Sequence, residues 1–264
     1  MALALIAGSG NLPLQIIQSC LDKGKPLLVI GFEGQTTLTK NAYTEFSLGS
    51  IGKILEHLKA NNIQEIVFAG GIRRPAWSEL DLDWVGMKWF KTLGFKALKG
   101  DNDLLSGILD LLKQEGFNII KPGDLLDNLT STTGILTTAS PSENDLADIE
   151  RGLVILNSLS SADVGQAVIV QQGLVLGIEA IEGTAALIDR CSALKRSGGG
   201  VLVKIAKTGQ SQDVDLPTIG PDTIRQIKAA GFVGIAFGAE NTQIISCDET
   251  IRLANEYNLF IVGV

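Results

Sequence analysis

The sequence predicts a two-part α/β protein: an N-terminal Rossmann-like parallel-sheet domain over residues 1–135, followed by a mixed α/β catalytic C-terminal domain over 136–264. Three observations carry this. Short apolar runs alternate with helix-periodic segments through the first part of the chain, the pattern of a doubly wound parallel sheet. The second part instead holds two apolar runs joined by a short glycine-containing link, which reads as a hairpin. Between them the texture turns to turn formers and β-branched residues, from Leu129 to Gly134 and from Thr137 to Pro141. A chain of 264 residues is long enough for two modest domains, each with its own core.

Leu3 to Ala7 is an apolar run ended by Gly8-Ser9-Gly10, and a periodic segment from Pro13 to Cys20 follows, stopped at Gly24: strand, tight turn, helix. Pro26 to Ile30 is a second strand, Ile51 to Leu58 a helix, and Glu65 to Ala69 a third strand ahead of Gly70-Gly71. Aromatic density rises between Trp77 and Phe95. Asp101 then caps a helix running to about Glu115, and Phe117 to Ile120 closes the first half. In the second half a helix spans about Glu143 to Leu159, and the hairpin strands are Ala167 to Val170 and Leu174 to Ile178. A helix near Thr184 to Leu194, a strand near Val201 to Ile205, a polar loop from Lys207 to Gly220, a helix from Pro221 to Ala230 and a strand from Phe232 to Ala236 complete it, before a last strand-helix-strand.

Composition narrows the function. A net charge of −7 and a pI near 4.8 leave no broad cationic surface for nucleic acid, although a local basic pocket or a bound cation still allows a small anionic substrate. Cys20, Cys191 and Cys247 lie far apart with no CxxC spacing, which fits a reducing compartment and no structural zinc. The start of the chain lacks a basic n-region and its apolar run stops at Gly8, so it reads as a buried strand in a cytoplasmic protein.

Four groups of residues could carry chemistry. Gly8, Ser9, Gly10 and Asn11 stand where a strand meets a helix N-terminus, a place suited to a phosphate; Pro13 occupies the position of a third fingerprint glycine, so a dinucleotide motif fails. Gly70, Gly71, Arg73 and Arg74 end another strand, with guanidinium forks that suit a pyrophosphate or, alternatively, simply face solvent. His57, the one histidine, lies among apolar residues of a helix, so a metal would have to rest on carboxylates and waters, as magnesium or manganese does. Carboxylates gather at Glu179 and Glu182, ahead of a Thr184 expected as a helix cap, and at Asp213 and Asp215, two apart and on one face if extended. Asp215 could equally serve as a cap or pair with Lys204 or Lys207. The stretch from Trp84 to Phe95, with Lys88, Lys91 and Lys96 interleaved, is read mainly as core, with acyl chains or a membrane surface as the alternative.

Several strings together resemble a known family. They are Leu5 to Pro13, Lys99 to Leu105, Asp163 to Gln166, Gly173 to Thr184 and above all Val214-Asp215-Leu216-Pro217-Thr218-Ile219-Gly220, with the closing Leu259 to Gly263. The resemblance is to the UDP-2,3-diacylglucosamine diphosphatases of the type lacking a calcineurin-like fold, enzymes of lipid A synthesis, and it runs from end to end. It implies two α/β domains clasping a lipid in a cleft. The implied reaction is magnesium-dependent hydrolysis of UDP-2,3-diacylglucosamine to UMP and 2,3-diacylglucosamine 1-phosphate, with Asp215 as the catalytic and metal-binding acid; by residue chemistry Asp213, the second metal ligand expected, or alternatively Glu179 or Glu182 would support it. The loop Gly8 to Asn11, with Gln166, Glu179, Thr184 and Lys207, would line the substrate cleft, and Gly70 and Arg73, from their strand-end chemistry, and Asp103 are expected to contact substrate as well. Transient contact with the inner-membrane surface stays open on the sequence alone. A homodimer stays open on the sequence alone. Two other classes stay open as well: a nucleotide-cofactor oxidoreductase, suggested by the strand-Gly-x-Gly-helix start, and a noncatalytic lipid or nucleotide carrier.

Overall fold

Strand β1, Ala2–Ala7, is buried on both faces, which is why it is apolar at every position rather than alternating. It forms the centre of a five-stranded, wholly parallel sheet with β2 (Leu27–Phe32) and β3 (Thr44–Phe46) on one side and β4 (Ile63–Ala69) and β5 (Asn118–Ile120) on the other. The computed structural model describes residues 2–73, 75–76, 79–94, 101–126, 132–160, 162–207, 216–239 and 241–264, the side chains of 101 and 102 excepted. The chain divides into two compact units near residue 127.

In the first unit Ala4, Ile6, Ile30, Phe32 and Ile66 point to one face of the sheet. They pack there with Ile54, Leu55 and Leu58 of α2 (Ile51–Ala60), Trp89 and Leu93 of α3 (Trp84–Leu93), and Leu111 and Leu112 of α4 (Asp101–Gln114). Leu3, Leu5 and Ala7, on the opposite face, are equally buried, as are Ile16 and Cys20 of α1 (Leu12–Asp22), which Pro13 helps to start. Strand order changes direction at β1 and β4. The carboxyl ends of those two strands therefore mark the switch point where sheets of this kind expose a crevice. The cap expected of Asp101 lies on a side chain outside the described ones.

The second unit is built on a mixed six-stranded sheet, in the order β6 (Gly134–Ile135), β13 (Phe260–Gly263), β11 (Gly234–Phe237), β9 (Val201–Lys204), β7 (Ala167–Gln171), β8 (Leu174–Ile178). The middle three are parallel; β6, β7 and β8 run antiparallel to their neighbours. Odd and even strand positions separate two cores. Ala167, Ile169, Leu202, Ile235 and Ile261 meet helices α6 (Gly183–Ser192), α7 (Pro221–Ala230) and α8 (Cys247–Glu256), while Val168, Val170, Val203 and Val262 meet α5 (Glu143–Ser160). Gly152 lets α5 approach closely, since a Cβ there would lie 2.6 Å from Val203. A small parallel pair, β10 (Thr218–Ile219) with β12 (Gln243–Ile244), was not foreseen from the sequence.

The predicted hairpin is present. Gln172 (φ 51°) and Gly173 (φ 75°) both adopt left-handed backbone, the signature of a tight two-residue turn. Buried Asp148 of α5 secures it, accepting from the Gln172 and Gly173 N–H groups at 2.8 and 2.6 Å.

Candidate functional site

The switch point of the first unit is made by glycine loops that touch each other. Gly8 N donates to Ala69 O at 2.8 Å, Ser9 N to Gly71 O at 2.9 Å, and Gly71 N back to Ser9 O at 3.1 Å, an isolated antiparallel bridge between the loops after β1 and β4. Ser9 Oγ also donates to Gly71 O, at 2.9 Å. A Cβ on Gly8 would meet Gly71 O at 2.5 Å, so this backbone approach excludes any side chain. Gly10 (φ 94°) differs: nothing lies within 4 Å of where its Cβ would stand, and its N–H reaches Thr37 Oγ1 at 3.1 Å.

A third loop completes this edge. Thr36 Oγ1 donates to Ala7 O (2.6 Å) and accepts from Phe32 N (2.8 Å), and Gln35 pairs with the Arg73 backbone in both directions, at 3.1 and 3.0 Å. Gly8, Ser9, Gly10, Asn11, Gly70 and Arg73 are thus brought to one edge of the sheet, beside a loop of Gln35, Thr36 and Thr37 that sequence reasoning missed. Its signal was available: two threonines and a glutamine following a strand end at the same carboxyl edge. Asp103 is exposed in the first turn of α4. A helix leading into a parallel strand runs back against the strands, so the start of α4 faces the same end of the sheet. Arg74 lies outside the described residues.

In the second unit three expected residues form one network. Glu179, 5% exposed, accepts from Gln166 N at 3.0 Å and from Thr184 Oγ1 at 2.7 Å. The ammonium of Lys204, also buried, donates to Thr184 Oγ1 at 3.0 Å and to Thr218 O at 2.9 Å. One expectation is corrected. Thr184 does not cap α6: the helix starts at Gly183 and the threonine hydroxyl is spent on Glu179. Lys204, a lysine closing an apolar buried strand, stands at the centre of the network, and its expected alternative partner Asp215 lies outside the described residues.

Burying an ammonium is costly unless its donors are met, so this charge is held in place by several partners and stays fixed. Gln166 Oε1 is buried with no hydrogen-bond partner among the described residues, a polar atom in want of a donor. Lys207 pairs with Asp163 at 2.6 Å. Glu182 is taken by Arg190 at 2.8 Å, and that pairing competes with any cation for it; its own backbone N–H and then the guanidinium hold its carboxyl below the usual range. His57 packs against Phe46, with ring centroids 5.5 Å apart, as its apolar setting predicts.

Asp213 and Asp215 lie outside the described residues. Among the described ones no three His, Cys, Asp or Glu side chains gather as a metal site. Magnesium needs only one or two carboxylates, completed by waters and substrate phosphates, so the Asp213–Asp215 pair fits its demands by donor chemistry. No described helix is long and apolar enough to cross a membrane.

A parallel sheet with a glycine-lined switch point, joined in one chain to a mixed sheet holding a buried lysine–threonine–glutamate network, defines a two-unit α/β protein. Residues 2–129 match the family model described as the LpxI N-terminal domain, and residues 132–262 match the LpxI C-terminal domain. A UDP-2,3-diacylglucosamine pyrophosphatase LpxI from Caulobacter vibrioides is 34% identical over 271 residues, covering 99% of this chain and 97% of that one. The chain belongs to the LpxI family.

Proposed function

We propose that this protein hydrolyses the pyrophosphate of UDP-2,3-diacylglucosamine, yielding UMP and 2,3-diacylglucosamine 1-phosphate for lipid A synthesis. The observation that carries the reading is the match over 99% of the chain to a relative named for acting on that substrate. Water adds to one phosphorus, the bridging P–O bond breaks, and two phosphate monoesters leave. Charge accumulates on phosphoryl oxygens throughout, so the protein's work is to position and neutralise.

The chain's own residues suit that work. The Gly8–Asn11 loop offers backbone N–H groups at a helix N-terminus, with Gly70 and Arg73 beside it. Lys204 supplies a fixed positive charge, Thr184 and Glu179 orient it, and Gln166 Oε1 can accept from a sugar or uracil donor. Lys207 and Asp103 add further polar contacts. Asp215, with Asp213, would hold Mg2+ or, in its place, Mn2+. A cation so held offsets phosphate charge and lowers the pKa of a bound water.

The test is incubation of the purified protein with UDP-2,3-diacylglucosamine and Mg2+, following release of UMP. Asp215→Ala is expected to fold normally and to lose turnover by orders of magnitude, and chelation of the metal to do the same to the wild type. Near-normal hydrolysis by folded Asp215→Ala would overturn the role given to that acid. Binding without any UMP would leave a carrier, and nicotinamide-linked absorbance changes an oxidoreductase.

A further inference from the structure

Helix α3 has two faces of different character. Val85, Gly86, Trp89 and Leu93 turn inward, and Trp89 and Leu93 belong to the core of the first unit. The other side carries Trp84, 72% exposed, Met87, 47% exposed, and Phe90, 36% exposed. At 100° per residue these three share one continuous arc with Lys91 and Lys88, in the order Phe90, Met87, Lys91, Trp84, Lys88.

Large apolar side chains on a water-facing helix cost free energy unless something covers them, and tryptophan is the most expensive to leave bare. The charge pattern says what covers Trp84 and Met87. The chain carries 29 acids against 22 lysines and arginines, yet α3 contains no acidic residue, and of its two lysines Lys91 stands between Met87 and Trp84 while Lys88 borders Trp84. Asp83, just ahead of the helix, turns its carboxylate onto Gly86 N and Gly52 N, both at 2.7 Å, and so is held away from the arc. Lysines set among tryptophan and methionine fit an anionic lipid surface: the apolar groups enter the headgroup boundary while the long stems carry their ammoniums to the phosphates. A protein partner would need matching carboxylates, which a second copy of this helix does not possess.

From this we infer that the exposed arc of α3 is a docking surface for anionic phospholipid bilayers. The inference does not depend on the hydrolase reading, because its readout is partition and not turnover. The experiment is co-sedimentation of the full-length protein with vesicles of phosphatidylglycerol in phosphatidylethanolamine, compared with phosphatidylcholine vesicles. Binding is expected to the anionic vesicles, weakening as salt is raised. Each lysine near such a surface contributes about fivefold, so Lys88→Glu with Lys91→Glu should weaken partition by at least roughly 25-fold. Trp84→Ser with Met87→Ser should abolish it, with an unchanged thermal melt, since neither side chain belongs to the core. The charge pair, lying wholly on the surface, tests the inference separately if the serine pair misfolds. Equal binding to phosphatidylcholine, salt-insensitive binding, no binding, or unchanged partition of the folded variants would each overturn it. So would a concentration-dependent dimer that disperses in Trp84→Ser, which would assign the arc to a second copy of the chain.

Discussion

Replacing Gly8 by alanine should unfold the switch point, and the structure sets the size of the effect. The added Cβ would stand 2.5 Å from Gly71 O and 2.9 Å from the carbonyl carbon of Gly70, both backbone atoms, whereas ordinary contact begins at 3.4 Å. The loops must separate by nearly an ångström. That stretches the three backbone hydrogen bonds joining them, now 2.8 to 3.1 Å, out of effective range. At a net worth of about 1 kcal/mol each, the loss is about 3 kcal/mol. Gly10→Ala, two residues on, provides the control. Its Cβ meets nothing, so the cost is only that of holding alanine at φ 94°, about 1–2 kcal/mol. Urea denaturation of both variants measures this as a midpoint shift at constant slope. If Gly8→Ala matches the wild type, or Gly10→Ala proves the more damaging, the close approach of the two loops is not what demands a glycine.

Lys204→Met should destabilise the second unit by about 2–4 kcal/mol, through loss of two charge-assisted hydrogen bonds, and should lower turnover further than stability explains; a melt and a UMP-release assay on the same preparation separate the two. Asp148→Ala strips the hairpin turn of both its acceptor bonds and should cost about 2–3 kcal/mol by chemical denaturation, while Asp148→Asn, which keeps an acceptor, should recover part of it. Glu182 has a depressed folded-state pKa, so its contribution is complete above the unfolded value of about 4.3 and fades as pH falls through the folded one. The stability gap between wild type and Glu182→Gln should accordingly be constant from neutral pH to about pH 5 and close in more acidic solution; a gap that widens with acid would refute this.

Local chemistry made some of this legible in advance. Helix Pro221–Ala230 was read to the residue, because proline starts it and Gly231, at φ 74°, ends it. The hairpin was equally plain from Gln172-Gly173 between apolar runs. Strand Thr44–Phe46 was missed: it is three residues long, with only Phe46 partly buried, and so leaves no periodic trace. At the site, sequence found the glycines and acids but not their partners. Thr184 has the local look of a cap, and only the fold brings Glu179 and Lys204 to compete for its hydroxyl. Gln35 and Arg73 are 38 residues apart in sequence, a separation at which no window of neighbours shows that they bond.

The position of β13 bears on how the protein comes into being on the ribosome. Phe260–Gly263 is not an edge but is threaded between β6 and β11, so the second sheet stays open, its neighbours showing bare N–H and C=O groups, until those residues emerge. The first sheet needs nothing after Ile120 to join its five strands, and can close while translation continues. A nascent chain stalled between the two would carry a finished first unit and a sticky, incomplete second one. Chaperone demand should therefore concentrate in the interval between the synthesis of Ile120 and that of Gly263.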